Sequence, residues 1–258
     1  MNVRAKKHLG QHFLTDKNIC KKIADRYLGD EGCTKVLEIG PGMGALTEFL
    51  LQREELDIHV MEIDRDSVAY LKEHFPGLKN KIYATDFLKT DLTALMGKGS
   101  FGVVGNFPYN ISSQILFKCI EYRNQIPEIM GMFQKEVGVR VAEKPGSKAY
   151  GILSVLLQTY YDIEYCFTVD EQVFNPPPKV KSGVIRCTRN ERTSLPCDET
   201  FFIQVVKATF NQRRKTIRNG LKGLVDVAQL NHPFFELRAE RLSVDDFIEL
   251  TCYLEKEK

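Results

Sequence analysis

One segment of the chain joins a buried strand, a glycine turn and a helix: Lys35-Val36-Leu37-Glu38-Ile39-Gly40-Pro41-Gly42-Met43-Gly44-Ala45-Leu46-Thr47-Glu48-Phe49-Leu50-Leu51. Glycines allow the backbone to pass close to a ligand, and the first N–H groups of the following helix remain free to bind it. This pattern is typical of the first βα unit of a nucleotide-binding sheet.

Strands and helices continue to alternate after this unit. Further strands are predicted over residues 57–64, 81–86, 101–105, 128–133, 160–169 and 183–188, with helices between most of them. The alternation predicts an α/β fold, in which a mostly parallel, seven-stranded sheet carries helices on both faces. The last two strands are expected to pair around a proline-rich loop.

The carboxy-terminal part of the chain has a different pattern. Residues 189–199 resemble a linker, and apolar residues then recur at helical spacing. We therefore expect two domains, with residues 1–190 forming the sheet domain and residues 191–258 a small helical domain. The basic residues 1–15 form either a frayed terminus or a lid over a ligand, and a helix is expected to begin near Asp16.

The composition is that of a soluble globular protein, with 43% hydrophobic and 27% charged residues in a chain of 258. No apolar run approaches the roughly 18 residues of a membrane span, and no secretory signal is expected. Seven cysteines without a C-x-x-C pair favour free thiols in the cytoplasm and argue against a zinc site. The net charge is only +2, so the distribution of charge is more informative than its total.

The fourth predicted strand ends in Asn106-Phe107-Pro108-Tyr109. Pro108 fixes its own φ and keeps Phe107 out of the helical region, so the turn is stiff and extended. The side-chain oxygen of Asn106 and a main-chain oxygen of the turn would accept the two N–H bonds of an adenine amine, while Tyr109 would stack on the base. The alternative is an ordinary turn at the end of a strand.

Two acidic residues end neighbouring strands. Glu62 follows the glycine turn by about 20 residues, the spacing at which a carboxylate binds a ribose diol, although a surface carboxylate is the alternative. Asp86 would accept the exocyclic amine of a cofactor adenine or, alternatively, cap the next helix. With Asn106, these acids fit S-adenosylmethionine better than a nicotinamide dinucleotide, because its sulfonium is the activated electrophile that a weakly nucleophilic amine requires.

Two further segments carry candidate RNA contacts. A loop with three consecutive prolines would present Phe174 to the base from the side opposite Tyr109, unless the ring fills the core instead. Residues 200–225 contain no acid but several bases, which we interpret as an RNA-binding face on one helix and its flanks, although a solvated helix face is the usual meaning of such a run. The bases are Lys207, Arg213, Arg214, Lys215, Arg218 and Lys222.

Five ordered motifs make the sequence similar to the rRNA adenine N6-dimethyltransferases of the KsgA type, and the resemblance covers nearly the whole chain. The motifs are Leu-Gly-Gln-His-Phe-Leu at 9–14, Glu-Ile-Gly-Pro-Gly-Met-Gly-Ala-Leu-Thr at 38–47, Asn-Phe-Pro-Tyr-Asn-Ile-Ser at 106–112, Val-Phe-Asn-Pro-Pro-Pro-Lys-Val at 173–180 and Phe-Asn-Gln-Arg-Arg-Lys-Thr at 210–216.

This resemblance implies a Rossmann-like, class I methyltransferase domain followed by a small helical domain that binds RNA. It implies that methyl groups pass from S-adenosylmethionine to N6 of two adjacent adenosines, twice each, in the 3′-terminal hairpin loop of 16S rRNA. The expected substrate is the immature 30S ribosomal subunit, and the expected enzyme is a monomer without a metal.

The resemblance also implies roles for individual residues. The implied cofactor site consists of His12, Leu14, Gly40, Glu62, Asp86 and Asn106. The target adenine would be held by Asn106, Tyr109 and Phe174. The run of basic residues, independently of the resemblance, assigns the RNA to Arg213, Arg214, Lys215 and Arg218. The family often has Asn in place of His12 and Leu in place of Phe107, whose ring could crowd the adenine pocket.

Two other functions remain as alternatives. The first is the related large-subunit rRNA adenine methyltransferase of the macrolide-resistance type, which the triple proline and the Asn-Gln-Arg-Arg-Lys-Thr run disfavour. The second is a non-catalytic ribosome-assembly factor with a vestigial cofactor site, which the presence of Glu62, Asp86 and Asn106 disfavours.

Overall fold

A computed structural model describes residues 3–29 and 32–257 of the chain. It contains two compact units, Met1–Gly138 with Asp162–Arg189, and Val139–Tyr161 with Asn190–Lys258. The later segment of the second unit begins at Asn190, whereas the expected second domain begins at residue 191. The same unit also takes in Val139–Tyr161, which we had expected in the first domain.

The helices of the described residues are α1 Lys17–Arg26, α2 Thr47–Leu50, α3 Arg65–His74, α4 Leu92–Met96, α5 Ser112–Glu121, α6 Lys135–Ala142, α7 Ile152–Gln158, α8 Glu199–Asn211, α9 Ile217–Leu221 and α10 Val244–Lys256. The strands are β1 Phe13–Leu14, β2 Lys35–Ile39, β3 Asp57–Met61, β4 Ile82–Tyr83, β5 Gly102–Asn106, β6 Glu128–Gln134, β7 Tyr161–Val169, β8 Phe174–Asn175 and β9 Ser182–Arg189.

Seven strands form one sheet in the order β4-β3-β2-β5-β6-β9-β7. The pairs from β4 to β6 are parallel, and β9 runs antiparallel to β6. The predicted α/β fold with a mostly parallel sheet is therefore confirmed. The strand order reverses between β2 and β5, and ligands of open α/β sheets bind outside the carboxyl ends of the strands at such a switch point.

The two central strands explain why the sheet forms around the glycine turn. Val36, Leu37, Val103 and Val104 are all fully buried. Parallel strands that are covered on both faces have continuous apolar sequences of this kind.

The first helix of the same unit begins where the sequence predicted. Asp16 caps α1 by accepting hydrogen bonds from the N–H groups of Asn18 and Ile19.

In the second unit, α8 packs against α7, α9 and α10. The Phe210 ring lies 6.1 Å from the Tyr150 ring and 5.8 Å from the Phe247 ring, measured between centroids. This aromatic cluster explains why Val139–Tyr161 belongs to the second unit.

None of the helices in the described part of the chain is long and apolar enough to cross a membrane.

Candidate functional site

An open cavity lies at the carboxyl ends of β2, β3 and β5. Residues 9–15, the glycine turn, Glu62 with Ile63, residues 106–109 and Asn175 contribute to its wall. Four of the five sequence motifs thus meet at one place. The fifth, residues 210–216, belongs to the second unit.

Glu62 follows β3 directly and is 5% exposed. Its carboxylate accepts hydrogen bonds from the N–H groups of Gly42 at 3.0 Å and Asp64 at 2.9 Å. Burial raises the pKa of Glu62, and these two hydrogen bonds oppose the rise. Glu62 is therefore a buried carboxylate fixed to the glycine turn, which argues against the surface alternative and fits a residue that binds a ribose.

The glycine turn lies directly beneath the amino-terminal segment. Gly42 has a φ of +58°, and a Cβ at this position would lie 2.8 Å from the ring of Phe13. A side chain at residue 42 would thus meet both backbone strain and a clash. His12 and Leu14 flank Phe13 in the wall of the cavity, and Gly40 also lines it.

The amino-terminal segment is anchored beside the cavity by Asp64, a residue that sequence reasoning missed. Asp64 is 2% exposed, forms an ion pair with Lys6 and accepts a hydrogen bond from Gln11 at 3.2 Å. Burial would raise the pKa of Asp64, but the hydrogen bonds from Lys6 and Gln11 outweigh burial and lower it. The sequence did offer one signal for Asp64, because it is an acid between a predicted strand and a predicted helix. In the structure Asp64 also caps α3.

Asn106 ends β5 in the wall of the cavity. Its side-chain nitrogen donates a hydrogen bond of 3.0 Å to the main-chain oxygen of His12. Because the amide nitrogen is used in this way, the side-chain oxygen of Asn106 is left as the acceptor. This is the group that sequence reasoning assigned to the adenine amine.

Tyr109 is held at its hydroxyl and at its ring. The hydroxyl is hydrogen bonded to Ser182, which is fully buried, and the ring stacks on His12 with centroids 5.5 Å apart. Burial raises the pKa of Tyr109, and the hydrogen bond to Ser182 opposes the rise. The phenol therefore stays neutral and its ring has a fixed orientation. Sequence reasoning gave no role to Ser182.

The ring of Phe107 is buried, although Phe107 is also among the residues that line the cavity. Its side chain is 1% exposed and packs against Phe133 with ring centroids 4.9 Å apart. The ring also lies against two glycines, Gly105 in β5 and Gly131 in β6. A Cβ added at these positions would lie 2.9 Å and 2.1 Å from the ring, respectively. Phe107 thus anchors the turn between Asn106 and Pro108.

Two predicted site residues are absent from the set of described residues that line the cavity. Asp86 accepts a hydrogen bond from the N–H of Leu88 at 2.9 Å and stabilises its own turn. The alternative in which Asp86 caps the next helix is wrong, because Asp91 caps α4. Phe174 is 4% exposed and belongs to the hydrophobic core with Leu14, its cross-strand partner. This packing matches the alternative in which the ring fills the core.

Glu38 is a further buried acid at the cavity, which the sequence indicated only as part of a motif. It is 1% exposed and accepts a hydrogen bond of 2.6 Å from the hydroxyl of Thr47. Burial raises the pKa of Glu38 to about 8, while the Thr47 hydroxyl opposes the rise. Glu38 is therefore largely protonated at neutral pH.

The candidate RNA contacts lie in the second unit and span more than one helix. Arg213, Arg214 and Lys215 occupy the turn between α8 and α9, of which Arg214 and Lys215 are exposed. Arg213 lies 3.9 Å from the carboxylate of Glu240. Arg218 donates hydrogen bonds of 2.9 and 3.0 Å to the carbonyls at residues 227 and 230, so its guanidinium is used within the fold.

Comparison with protein families gives one match over almost the whole chain. The model of the family described as "Ribosomal RNA adenine dimethylase" matches residues 2–256. A protein named ribosomal RNA small subunit methyltransferase A from Cytophaga hutchinsonii is 57% identical over 253 residues, covering 98% of each chain. A protein of the same name from Flavobacterium johnsoniae is 56% identical, covering 98% of this chain and 97% of that protein.

Two solved structures have a fold similar to that of this chain. A dimethyladenosine transferase from Plasmodium falciparum superposes with a TM-score of 0.78 at 24% identity, covering 95% of this chain and 98% of that one. The 23S rRNA methyltransferase ErmE superposes with a TM-score of 0.67 at 24% identity, covering 93% and 99%. These likenesses support the Rossmann-like methyltransferase fold.

Proposed function

The chain belongs to the ribosomal RNA adenine dimethylase family, and on this premise we propose how its residues carry out the reaction. It is an S-adenosylmethionine-dependent enzyme that dimethylates adenines of small-subunit rRNA. We infer that the two adjacent adenosines of the 3′-terminal hairpin loop are the targets. We further infer that the protein acts as a monomer on the immature 30S subunit in the cytoplasm.

The cavity has polar groups that suit S-adenosylmethionine. Glu62 would hold the ribose, and the glycine turn beginning at Gly40 would lie against the cofactor. His12 and Leu14 line the same cavity. When bound, S-adenosylmethionine supplies a methyl group that is activated by its positively charged sulfur. Asp86 is not among the described residues that line the cavity. Its contact with the adenine of the cofactor therefore stays a prediction.

The hydrogen bond from Asn106 to the carbonyl of His12 is the observation that carries the proposed mechanism. It fixes the amide so that the side-chain oxygen accepts one N–H of the target adenine. A main-chain oxygen of the turn accepts the other N–H, and the lone pair of the amine is then directed away from both. Catalysis consists mainly of this orientation and of the exclusion of water.

Tyr109 supplies the flat surface on which the base stacks. Stacking on an aromatic ring contributes about 1–3 kcal/mol per base, and the ring needs little reordering because Ser182 and His12 already hold it. Stacking by Phe174 stays a prediction, since it requires the ring to leave the core that it shares with Leu14. For the RNA backbone, Arg214 and Lys215 are the exposed candidates in the turn after α8.

Methyl transfer to isolated ribosomal subunits tests this proposal. The enzyme is incubated with labelled S-adenosylmethionine and small subunits that lack the modification, and the labelled bases are mapped. We expect label on N6 of two adjacent adenosines near the 3′ end of the small-subunit rRNA. Efficient transfer to naked large-subunit RNA with poor transfer to small subunits would favour the macrolide-resistance type. Tight binding to small subunits without transfer would favour an assembly factor.

A further inference from the structure

His12 is the residue at which three functional segments of the first unit meet. Its main-chain oxygen accepts the hydrogen bond from Asn106. Its imidazole stacks on Tyr109 at an interplanar angle of 27°, and its Nδ1 lies 2.8 Å from the main-chain oxygen of Pro176. The residue thus joins the amino-terminal segment to the turn after β5 and to the proline-rich loop.

The two kinds of contact depend on different parts of the residue. The contact with Asn106 uses the main chain, so it survives any substitution that leaves the backbone in place. The contacts with Tyr109 and Pro176 use the imidazole alone. A carbonyl oxygen can only accept, so Nδ1 carries a proton and donates to Pro176.

We propose that the imidazole of His12 is a positioning residue for the target adenine, which acts by fixing the Tyr109 ring and the proline-rich loop to each other. This inference rests on the proposed function, and it adds a role towards the target to the place that His12 has in the wall of the cavity. The stacking distance of 5.5 Å is within the range for offset aromatic pairs. The neighbouring pairing of Phe13 with Asn175 keeps the loop in register with His12.

The arrangement has a clear physical benefit. A base that stacks on Tyr109 loses less affinity if the ring is already immobile, because no side-chain freedom is then lost on binding. Ser182 holds the hydroxyl end of Tyr109. His12 contacts one face of the ring, so the base would stack on the other face. With both contacts in place, the ring has one orientation relative to Asn106.

Three substitutions separate the contributions of the imidazole. His12→Phe keeps a ring for Tyr109 but removes the donor to Pro176. His12→Asn keeps a donor but removes the ring, and His12→Ala removes both. For each full-length variant, kcat and KM for small subunits are measured at saturating S-adenosylmethionine. Calorimetry gives the Kd for S-adenosylmethionine, and thermal unfolding shows that the variant is folded.

We expect His12→Ala to lower kcat/KM for small subunits about tenfold or more, and His12→Phe and His12→Asn to lower it by smaller factors. Because kcat/KM is measured at saturating S-adenosylmethionine, a change in the Kd for the cofactor is recorded separately from it. A tenfold weaker Kd with kcat/KM for the RNA unchanged would assign the imidazole to the donor and overturn the proposal, as would three variants indistinguishable from the wild type.

Hydrogen exchange tests the same inference without methyl transfer, so it remains informative if the proposed function is wrong. The amides of Phe174 and Asn175 in β8 should exchange faster in His12→Ala and in His12→Phe, which both lack the donor to Pro176. In His12→Asn they should exchange at nearly the wild-type rate. Unchanged exchange in His12→Ala would show that the imidazole does not hold the loop.

Discussion

Lys6 forms an ion pair with the buried carboxylate of Asp64, although the two residues are 58 positions apart in the sequence. The same ammonium lies 2.7 Å from Asp66. The pair ties the amino-terminal segment to the strand end that carries Glu62. The segment that covers the cavity is thus attached to the part of the sheet that would hold the ribose of the cofactor.

Lys6→Ala should loosen the amino-terminal segment and weaken the binding of S-adenosylmethionine. Because the ammonium is partly exposed, we expect an increase in Kd of about two- to fivefold, measured by calorimetry. Amide exchange over residues 9–15 should also become faster. The neighbouring, exposed Lys7→Ala is the matched control and should change neither quantity.

The effect of Lys6→Ala should depend on pH in one direction. The pKa of Asp64 is lower in the folded protein than in the unfolded chain, so the ion pair stabilises the fold above the unfolded pKa and is lost as the pH falls through the folded one. Wild type and Lys6→Ala should therefore converge in stability in acid. A difference that grew as the pH fell would contradict this assignment.

Gly42→Ala should destabilise the protein and disturb the cofactor site. Residue 42 has a positive φ, and the added methyl group would meet the Phe13 ring. The left-handed backbone alone costs a non-glycine residue about 1–2 kcal/mol. We expect a lower melting temperature together with weaker binding of S-adenosylmethionine. Gly77→Ala is the control, because nothing lies within 4 Å of a Cβ there, and it should bind the cofactor normally.

Glu38→Gln should change how stability depends on pH. The pKa of Glu38 is raised to about 8 in the folded protein, so the folded state binds more protons than the unfolded state between about pH 4.5 and 8. In the wild type this group makes the free energy of unfolding fall as the pH rises through that range, by up to about 1.4 kcal/mol per pH unit.

The variant lacks this titration, so its free energy of unfolding should improve relative to the wild type from about pH 5 to about pH 8. Denaturant unfolding at several pH values measures the difference. Glu54→Gln, at an exposed position, should run parallel to the wild type. If Glu38→Gln also ran parallel, Glu38 would have to be ionised in the folded protein.

The basic residues of the second unit should fall into two groups, those that bind RNA and those that stabilise the fold. Arg214→Ala with Lys215→Ala should reduce the salt dependence of RNA binding, since each lost phosphate contact lowers the slope by about 0.7–0.9. Arg218→Ala should chiefly lower the melting temperature, because its guanidinium holds two carbonyls and lies 4.7 Å from the ring centroid of Phe235. The reverse pattern would transfer the RNA contact to Arg218.

Local patterns were sufficient to predict the sheet. Val36, Leu37 and Ile39 are apolar and buried in β2, and helices such as α3 begin at residues that cap them. These signals lie within a few positions of one another, so the sequence displays them directly. The position of Glu62 could be predicted for the same reason, because a strand end and a glycine turn fix it.

Long-range packing could not be predicted in this way. The pairing of β1 with β8 buries Phe174 against the core, whereas the triple proline indicated only a stiff loop. The anchor at Asp64 depends on Lys6 and Gln11, and nothing near Asp64 in the sequence indicates them. The aromatic contact between Tyr150, just before α7, and Phe210 in α8 likewise bridges a stretch that contains β7, β8 and β9.

The most direct measurement is the single-turnover rate of methyl transfer by Asn106→Ala on small subunits that lack the modification, at saturating S-adenosylmethionine. Asn80→Ala, at an exposed position outside the cavity, is the control. If the Asn106 oxygen orients the adenine amine, the rate should fall at least about 100-fold, while the Kd for small subunits stays close to that of the control. A variant that transfers methyl groups at nearly the wild-type rate would contradict the proposed role of Asn106.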